Sequence, residues 1–426
     1  MLDIKYLREH EQDVRVAMQR RGAAAPIDKA LELDRERRQL VTGVEALKRE
    51  RNAASEAIGK MRKAGRDASE QQQAVRAIGD KISGMDGRVR DIELELRGAL
   101  LAIPNVPHAS VPDGKGAADN VAVREWGAVR KFDFQPRPHV EIAEGLGVVD
   151  FARAARMTGA GFQVFVGQGA RLERALIQFM LDLHTREHGY TEVSPPFVCN
   201  SGSMTGTGQL PKMAEDMYSV DKDGLYLVPT AEVPVTNIYR EEIIERPLPI
   251  YLTAYSPCFR REAGSAGKET RGLIRVHQFD KVEMVKFVEP ETSYAELEKL
   301  VANAETVLQR LELPYRVLLL CAGDMSFAAA KCYDIELWTP GQNAWLEVSS
   351  CSNFEAFQAR RAGIRYRSKA GKADFVHTLN GSGVALARLM VAILENGQQA
   401  DGSVVLPAAI VPYMGGVSRL ERGFRL

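Results

Sequence analysis

The stretch 257–284, PCFRREAGSAGKETRGLIRVHQFDKVEM, gathers cations, carboxylates and an aromatic ring at spacings that could do chemistry. Phe259-Arg260-Arg261-Glu262 reads as a strand end that runs into a glycine-rich loop. A second strand then carries Arg275, Phe279 and Glu283, whose even separations put them on one face of an extended backbone. That face would hold a guanidinium, a ring and a carboxylate together, where a half-buried strand usually carries aliphatics. The plainer alternative is a surface hairpin with cross-strand ion pairs.

Two further pieces share this character. QNAWLEVSSCSN at 342–353 puts Glu347 and a run of small polar residues on a strand that otherwise reads as buried. Thr378-Leu379-Asn380-Gly381-Ser382-Gly383 then leads into a helix with Arg388 expected on its second turn. Buried Glu and Arg are costly unless paired or bound to a ligand. A helix start preceded by Asn-Gly-Ser-Gly would also offer free amide donors to an anion.

Familiar nucleotide and metal motifs do not account for these residues. AGKET at 266–270 resembles the end of a phosphate-binding loop, but its glycine spacing is wrong and Glu269 stands where Ser or Thr belongs. No GxGxxG follows a strand. His184-Thr185-Arg186-Glu187-His188 matches the HxxEH string of some zinc peptidases, yet no downstream ligand stands out. Solvated or interface histidines at a helix end are the better account, and no structural zinc is expected. Cys199, Cys258, Cys321, Cys332 and Cys351 are odd in number and form no CxxC pair, which suggests reduced thiols rather than a disulfide framework.

The elements that must position these groups fall into two unlike halves. From Ile27 to Ile103 there is no proline, and apolar residues recur by steps of three and four. One run is Leu33, Leu40, Val44, Leu47, Ala54, Ile58, Met61; the other is Val75, Ile78, Ile82, Met85, Val89, Ile92, Leu96, Ala99, Ile103. Each run puts a seam on one helix, and a turn near 63–67 would fold them into an antiparallel hairpin with helices on the order of 50 Å long. Arg37 and Arg51 interrupt the first seam, and Gly79, Gly84 and Gly87 weaken the second helix by up to about 1 kcal/mol each. Residues 1–22 read as one short amphipathic helix.

The segment 104–120 is rich in proline and glycine and reads as a linker. Beyond it, 121–426 alternates short strands with three longer helical stretches near 170–189, 292–313 and 383–398. This predicts an α+β domain on a mostly antiparallel sheet. The 426 residues carry 56 basic and 56 acidic side chains, so any nucleic-acid contact must be a local patch rather than bulk charge. No apolar run is long enough to span a bilayer and the charged N-terminus is unlike a signal peptide; no membrane association is expected, and a cytoplasmic location is.

Taken together, FRxE on a strand–loop–strand, a strand bearing Glu347 and a glycine-led helix bearing Arg388 resemble motifs 2 and 3 of class II aminoacyl-tRNA synthetases. The stretch from Gly189 to Pro196 resembles their motif 1. Within that class, GTGQLP at 206–211, PTAE at 229–232, PGQN at 340–343, SSCSN at 349–353 and HTLNGSG at 377–383 resemble seryl-tRNA synthetase. The likeness runs the length of the chain, helical hairpin included. Ala387 departs from the glycine often found before the arginine.

That resemblance implies an ATP-dependent serine–tRNA ligase that forms seryl-adenylate and passes the seryl group to the 3′ end of tRNA(Ser), with tRNA(Sec) as a further substrate where one exists. By likeness, Arg260 bridges the serine carboxylate and the α-phosphate, and Arg388 holds the γ-phosphate. Phe279 stacks on adenine while Glu262 and the Val276 backbone read its edge. Arg261, Arg275, Val348 and Ser349 complete the ATP site, and Glu347 and Ser350 hold Mg²⁺. For serine, Thr230, Ala231 and Glu232 surround the ammonium, Glu283 accepts the hydroxyl proton, and Asn380 and Ser382 close the pocket. Lys60, Arg62, Lys63 and Arg66 at the hairpin tip grasp tRNA, and motif 1 implies a homodimer. The basic run Arg360, Arg361, Arg365, Arg367, Lys369 and Lys372 is equally well read as guiding the acceptor end or as solvated. Two other readings are a relative that loads a carrier protein, which the hairpin opposes, and a coiled-coil protein with a dead catalytic domain, which the intact motif residues oppose.

Overall fold

The computed structural model describes residues 1–263, 272–423 and 426; the AGKET stretch at 266–270 and most of the glycine-rich loop lie outside them. The chain divides into two compact units, one of residues 1–19 and 23–104, the other of residues 20–22 and 105–426.

In the first unit, the N-terminal stretch forms two helices, α1 (Ile4–Glu9) and α2 (Glu11–Arg20), rather than one. The Asp3 side chain caps α1 by accepting from the Lys5 and Tyr6 amides, and His10 ends it. The long pair is α3 (Ile27–Lys63) and α4 (Ser69–Leu101). Every residue of both expected seams is buried or half-buried, and none is exposed. Arg88 to Glu36 at 2.9 Å and Lys48 to Asp86 at 3.5 Å fix the antiparallel register from outside the seam. The seam rule missed Asp34, which is buried and takes hydrogen bonds from Arg8 at 2.9 Å and Arg38 at 3.0 Å. That cluster fastens α1 to α3.

The second unit is built on one eight-stranded sheet. Its strands are β1 (Val121–Trp126), β2 (Thr191–Glu192), β3 (Ile250–Phe259), β4 (Gln278–Val288), β5 (Tyr315–Leu319), β6 (Lys331–Thr339), β7 (Ala344–Asn353) and β8 (His377–Ala385). They lie in the order β1-β5-β6-β7-β8-β4-β3-β2, antiparallel except where β2 joins β3. The helices α5 (Gln168–Arg186), α6 (Ser293–Arg310) and α7 (Leu386–Gly397) supply the apolar face of the main core. Leu172, Leu176, Leu300, Val301, Leu389 and Ile393 pack there with Val282, Met284, Ile335 and Val384 of the strands. Val285 and Phe287 face the other way, into a smaller cluster with Ala231, Val235 and Ala359. Period-2 alternation on β4 thus serves two cores.

Four sequence expectations need correction. Arg275 precedes β4 instead of lying on it. Asn380-Gly-Ser-Gly383 is a central strand, not a loop before a helix, and its glycines serve packing. A Cβ on Gly381 would stand 2.8 Å from Cys351 Sγ, and one on Gly383 2.8 Å from His184 Nε2. Arg388 consequently lies on the first turn of α7. His184 is not solvated either: it is fully buried, bonds His188 ring to ring at 2.9 Å, and burial pushes its pKa down to about 3. All five cysteines are buried thiols.

Candidate active site

A cavity of ≈ 540 Å³ opens over the middle of the sheet, within the range of ordinary ligand sites. Its floor and walls come from β4, β7, β8 and the first turn of α7, joined by the segments around 207–217, 229–232, 260–262, 273–276 and 326–328. It brings together Thr230, Glu232, Arg260, Glu262, Arg275, Val276, Phe279, Glu347, Val348, Ser349, Ser350, Asn380, Ser382 and Arg388. Ala231 is buried in the smaller core, and Arg261 is exposed with its amide donating to the Asp216 carbonyl; neither lines the cavity.

One end of the cavity is cationic. Arg260 follows β3 directly, and its guanidinium lies 5.3 Å from the centre of the Phe279 ring while Nε donates to the Pro229 carbonyl at 3.3 Å. Arg275 donates to Glu262 at 3.0 Å, with Glu262 in a left-handed backbone conformation at φ 50°. Arg388 donates from Nε to the Ile274 carbonyl at 3.1 Å and from Nη1 to the Glu347 carbonyl at 2.8 Å. Each guanidinium is held by a backbone carbonyl or a carboxylate, yet keeps donors free toward the cavity. The arrangement suits an extended polyanion with a flat ring at one end.

Glu347 corrects a further expectation, since its side chain is about half exposed at 48% rather than buried. The β6–β7 register slips between Ile335 and Glu336, so Glu336 faces Glu347 while Ile335 faces Ser349. That bulge turns Glu347 outward at the rim. The Asp334 carboxyl lies behind; burial first, and Glu347's charge next, push it up to about 8. Glu347 and Ser350 are hard oxygen donors at that rim, where Arg388 Nη1 stands 3.5 Å from one Glu347 oxygen, and oxygen donors of this kind suit a hard divalent cation. No group of three or more His, Cys, Asp or Glu side chains placed to hold a metal occurs among the described residues.

The opposite end is a small polar pocket. Glu283 is fully buried beneath it and is not an open acceptor. Its Oε1 takes a hydrogen bond from Asn380 at 2.6 Å, and its Oε2 takes one from Thr230 at 3.0 Å and an ion pair from Lys281 at 2.5 Å. Glu232 accepts from Gln358 at 2.6 Å. Burial pushes the Glu232 carboxyl up to about 7, with Glu283 adding to the rise and Gln358, Lys281 and Arg260 opposing it. Sequence reasoning missed Lys281 and Gln358. Lys281 was legible, because it lies between Phe279 and Glu283 at the same even spacing.

A serine–tRNA ligase of Pelotomaculum thermopropionicum is 56% identical over 421 residues, 99% of this chain and 100% of the relative. The chain belongs to the seryl-tRNA synthetase family. Its residues 1–107 match the seryl-tRNA synthetase N-terminal domain, and 217–397 match the class II tRNA synthetase core domain (G, H, P, S and T). A serine–tRNA ligase of Carboxydothermus hydrogenoformans is 58% identical, covering 97% of this chain and 98% of its own. Among solved structures, the seryl-tRNA synthetase of Pyrococcus horikoshii complexed with ATP superposes with a TM-score of 0.95 at 38% identity, covering both chains completely. The resemblance read from the motifs is thus borne out, as is the α+β fold expected of a seryl-tRNA synthetase.

Proposed function

We infer that this chain is a serine–tRNA ligase whose cavity activates L-serine with ATP and then transfers the seryl group to tRNA(Ser). The observation that carries this reading is the pairing, in one cavity, of a three-arginine channel beside Phe279 with a pocket walled by Thr230, Glu232, Asn380 and Ser382. In the first step a serine carboxylate oxygen bonds to the α-phosphorus, the bond to the bridging oxygen breaks, and pyrophosphate leaves. In the second, a terminal ribose hydroxyl attacks the seryl carbonyl and AMP leaves. No protein nucleophile is needed, so catalysis rests on position and on countering negative charge.

Arg260 lines the cavity beside Phe279 and within electrostatic reach of Glu232, and on this reading it is the residue that meets both the serine carboxylate and the α-phosphate, a task for a planar fork. Arg388 takes the γ-phosphate, Arg275 the phosphates or Glu262, and Phe279 stacks on adenine, whose edge meets Glu262 and the Val276 backbone. Glu347 and Ser350 would hold Mg²⁺, which when bound neutralises charge on the phosphate oxygens. The serine hydroxyl is read at the wall by Asn380 and Ser382, with Glu283 behind them fixing Asn380 and Thr230. Alanine would leave those polar groups unpaired, and sites of this kind discriminate by about 10⁴–10⁵.

The domain plan goes with this reading: residues 1–103 as a tRNA-binding arm, 104–120 as a linker and 121–426 as the catalytic domain, in a cytoplasmic homodimer. Recognition of tRNA by shape would extend to a selenocysteine tRNA. The test is ATP–pyrophosphate exchange with each amino acid in turn, followed by charging of purified serine tRNA. Exchange should depend on serine, with alanine at least 10⁴-fold poorer in kcat/KM. Equal exchange with another amino acid, or exchange without charging, would refute it.

A further inference from the structure

Glu283 and Glu232 are two carboxylates in one small pocket, and their surroundings differ in one respect. Glu283 already has an ammonium. Lys281 stands two residues before it on β4, so both side chains leave the same face of the strand. Lys281 is 5% exposed, lines the cavity, and places Nζ 2.5 Å from Glu283 Oε2. Asn380 and Thr230 complete the shell of Glu283. Glu232 has a neutral amide, Gln358, on Oε1, and its own amide donates to Thr230 Oγ1 at 3.2 Å. Its remaining oxygen capacity faces the cavity without a bonded cation.

We propose that Lys281 is a positioning residue for the amino acid: by occupying Glu283 with a built-in ammonium, it leaves Glu232 as the carboxylate that takes the substrate's ammonium. The proposal rests on the reading of the cavity as a serine site and adds to it the reason why serine sits one way round. With Lys281 in place, the ionised pocket of Lys281, Arg260, Glu283 and Glu232 is neutral before a zwitterion enters and neutral after. Without it, two buried carboxylates would compete for one incoming ammonium and for a shared proton. Serine could then bind through either acid, and its carboxylate would no longer be delivered reliably to Arg260.

The charges facing Glu232 are Glu283, Lys281 and Arg260. An ammonium needs the carboxylate form, so serine capture by the unaltered chain should strengthen as pH rises through about 7. Lys281 opposes the rise of that pKa, so removing it should move the step to higher pH.

The test is serine-dependent ATP–pyrophosphate exchange on the full chain, measured from pH 6 to 8.5 for the unaltered protein, Lys281→Met, Lys281→Arg and Glu232→Gln. Exchange by the unaltered chain reports on the serine-site reading itself, so its absence would fault that reading and not Lys281 alone. Given that activity, Lys281→Met should raise the KM for serine tenfold or more, leave the KM for ATP within twofold, and shift the pH step upward. Lys281→Arg should recover much of the loss. Glu232→Gln should raise the serine KM and erase the step. An unchanged serine KM in Lys281→Met, or parallel rises for serine and ATP with an unmoved pH step, would overturn the proposal. Should Lys281→Met fail to fold, Lys281→Gln takes its place with the same readouts: a serine KM raised tenfold or more with an upward-shifted pH step supports the assignment, and an unchanged serine KM refutes it.

Discussion

A Cβ at Gly383 would stand 2.8 Å from His184 Nε2 and 3.1 Å from the Val282 carbonyl. The imidazole is fully buried and pinned by its bond to His188, so it cannot swing away as the end of a flexible chain could. Gly383→Ala should therefore destabilise the fold by about 1–3 kcal/mol, seen as a lower midpoint in denaturant unfolding. His184→Ala alone should also destabilise, but the double variant should lose less than the two added together, because the clash is gone. Strict additivity would show that the glycine answers some other demand. The same pair explains two misreadings of the sequence. HxxEH does stand at the end of α5, but the solvated histidine expected there and the anion cradle expected of NGSG are two halves of one helix–sheet contact.

The hairpin of α3 and α4 was legible because its rule is local. Steps of three and four survive regardless of what else the chain does, and the structure leaves every seam residue at least half-buried. A Cβ on Gly43 would stand 2.8 Å from Met85 Cε, the mobile end of that side chain, while Gly79 and Gly84 have open space around them. The tip is exposed at Lys60, Arg62, Lys63 and Arg66, with Glu56 pairing Lys60 at 2.9 Å. Since exposed cations bind phosphate through charge rather than through a fixed pocket, replacing all four with serine should weaken tRNA charging roughly tenfold or more at physiological salt. Serine-dependent exchange should stay within twofold, and the charging defect of the variant should shrink as salt rises. Equal loss of both activities would count against an arm that serves tRNA alone. The strand end at β8 was the element least legible, because glycine, serine and asparagine carry turn propensity that only a central sheet position overrides.

On the scale of the whole molecule, the homodimer expected from motif 1 would make the particle twice its 47.0 kDa chain mass. Light scattering at micromolar concentration should return that figure, and a single-chain mass would remove the assembly from the proposal. The residue types for anion binding, stacking and acid chemistry, the two helical seams and the antiparallel character of the sheet were all present in the order of amino acids. Local periodicity and side-chain chemistry are properties of short segments and need no knowledge of the rest. What only the tertiary structure decided is which of those groups share a cavity, which are already satisfied, and which glycines are there to make room. Glu283 and Glu232 look alike as letters; three donors, one of them an ammonium, converge on Glu283, while the side chain of Glu232 takes only the neutral Gln358 amide. Those donors come from positions 230, 281 and 380, the last two on the paired strands β4 and β8 and the first on the segment between 229 and 232. Such long-range closure leaves no periodic mark for a reader of the sequence to find.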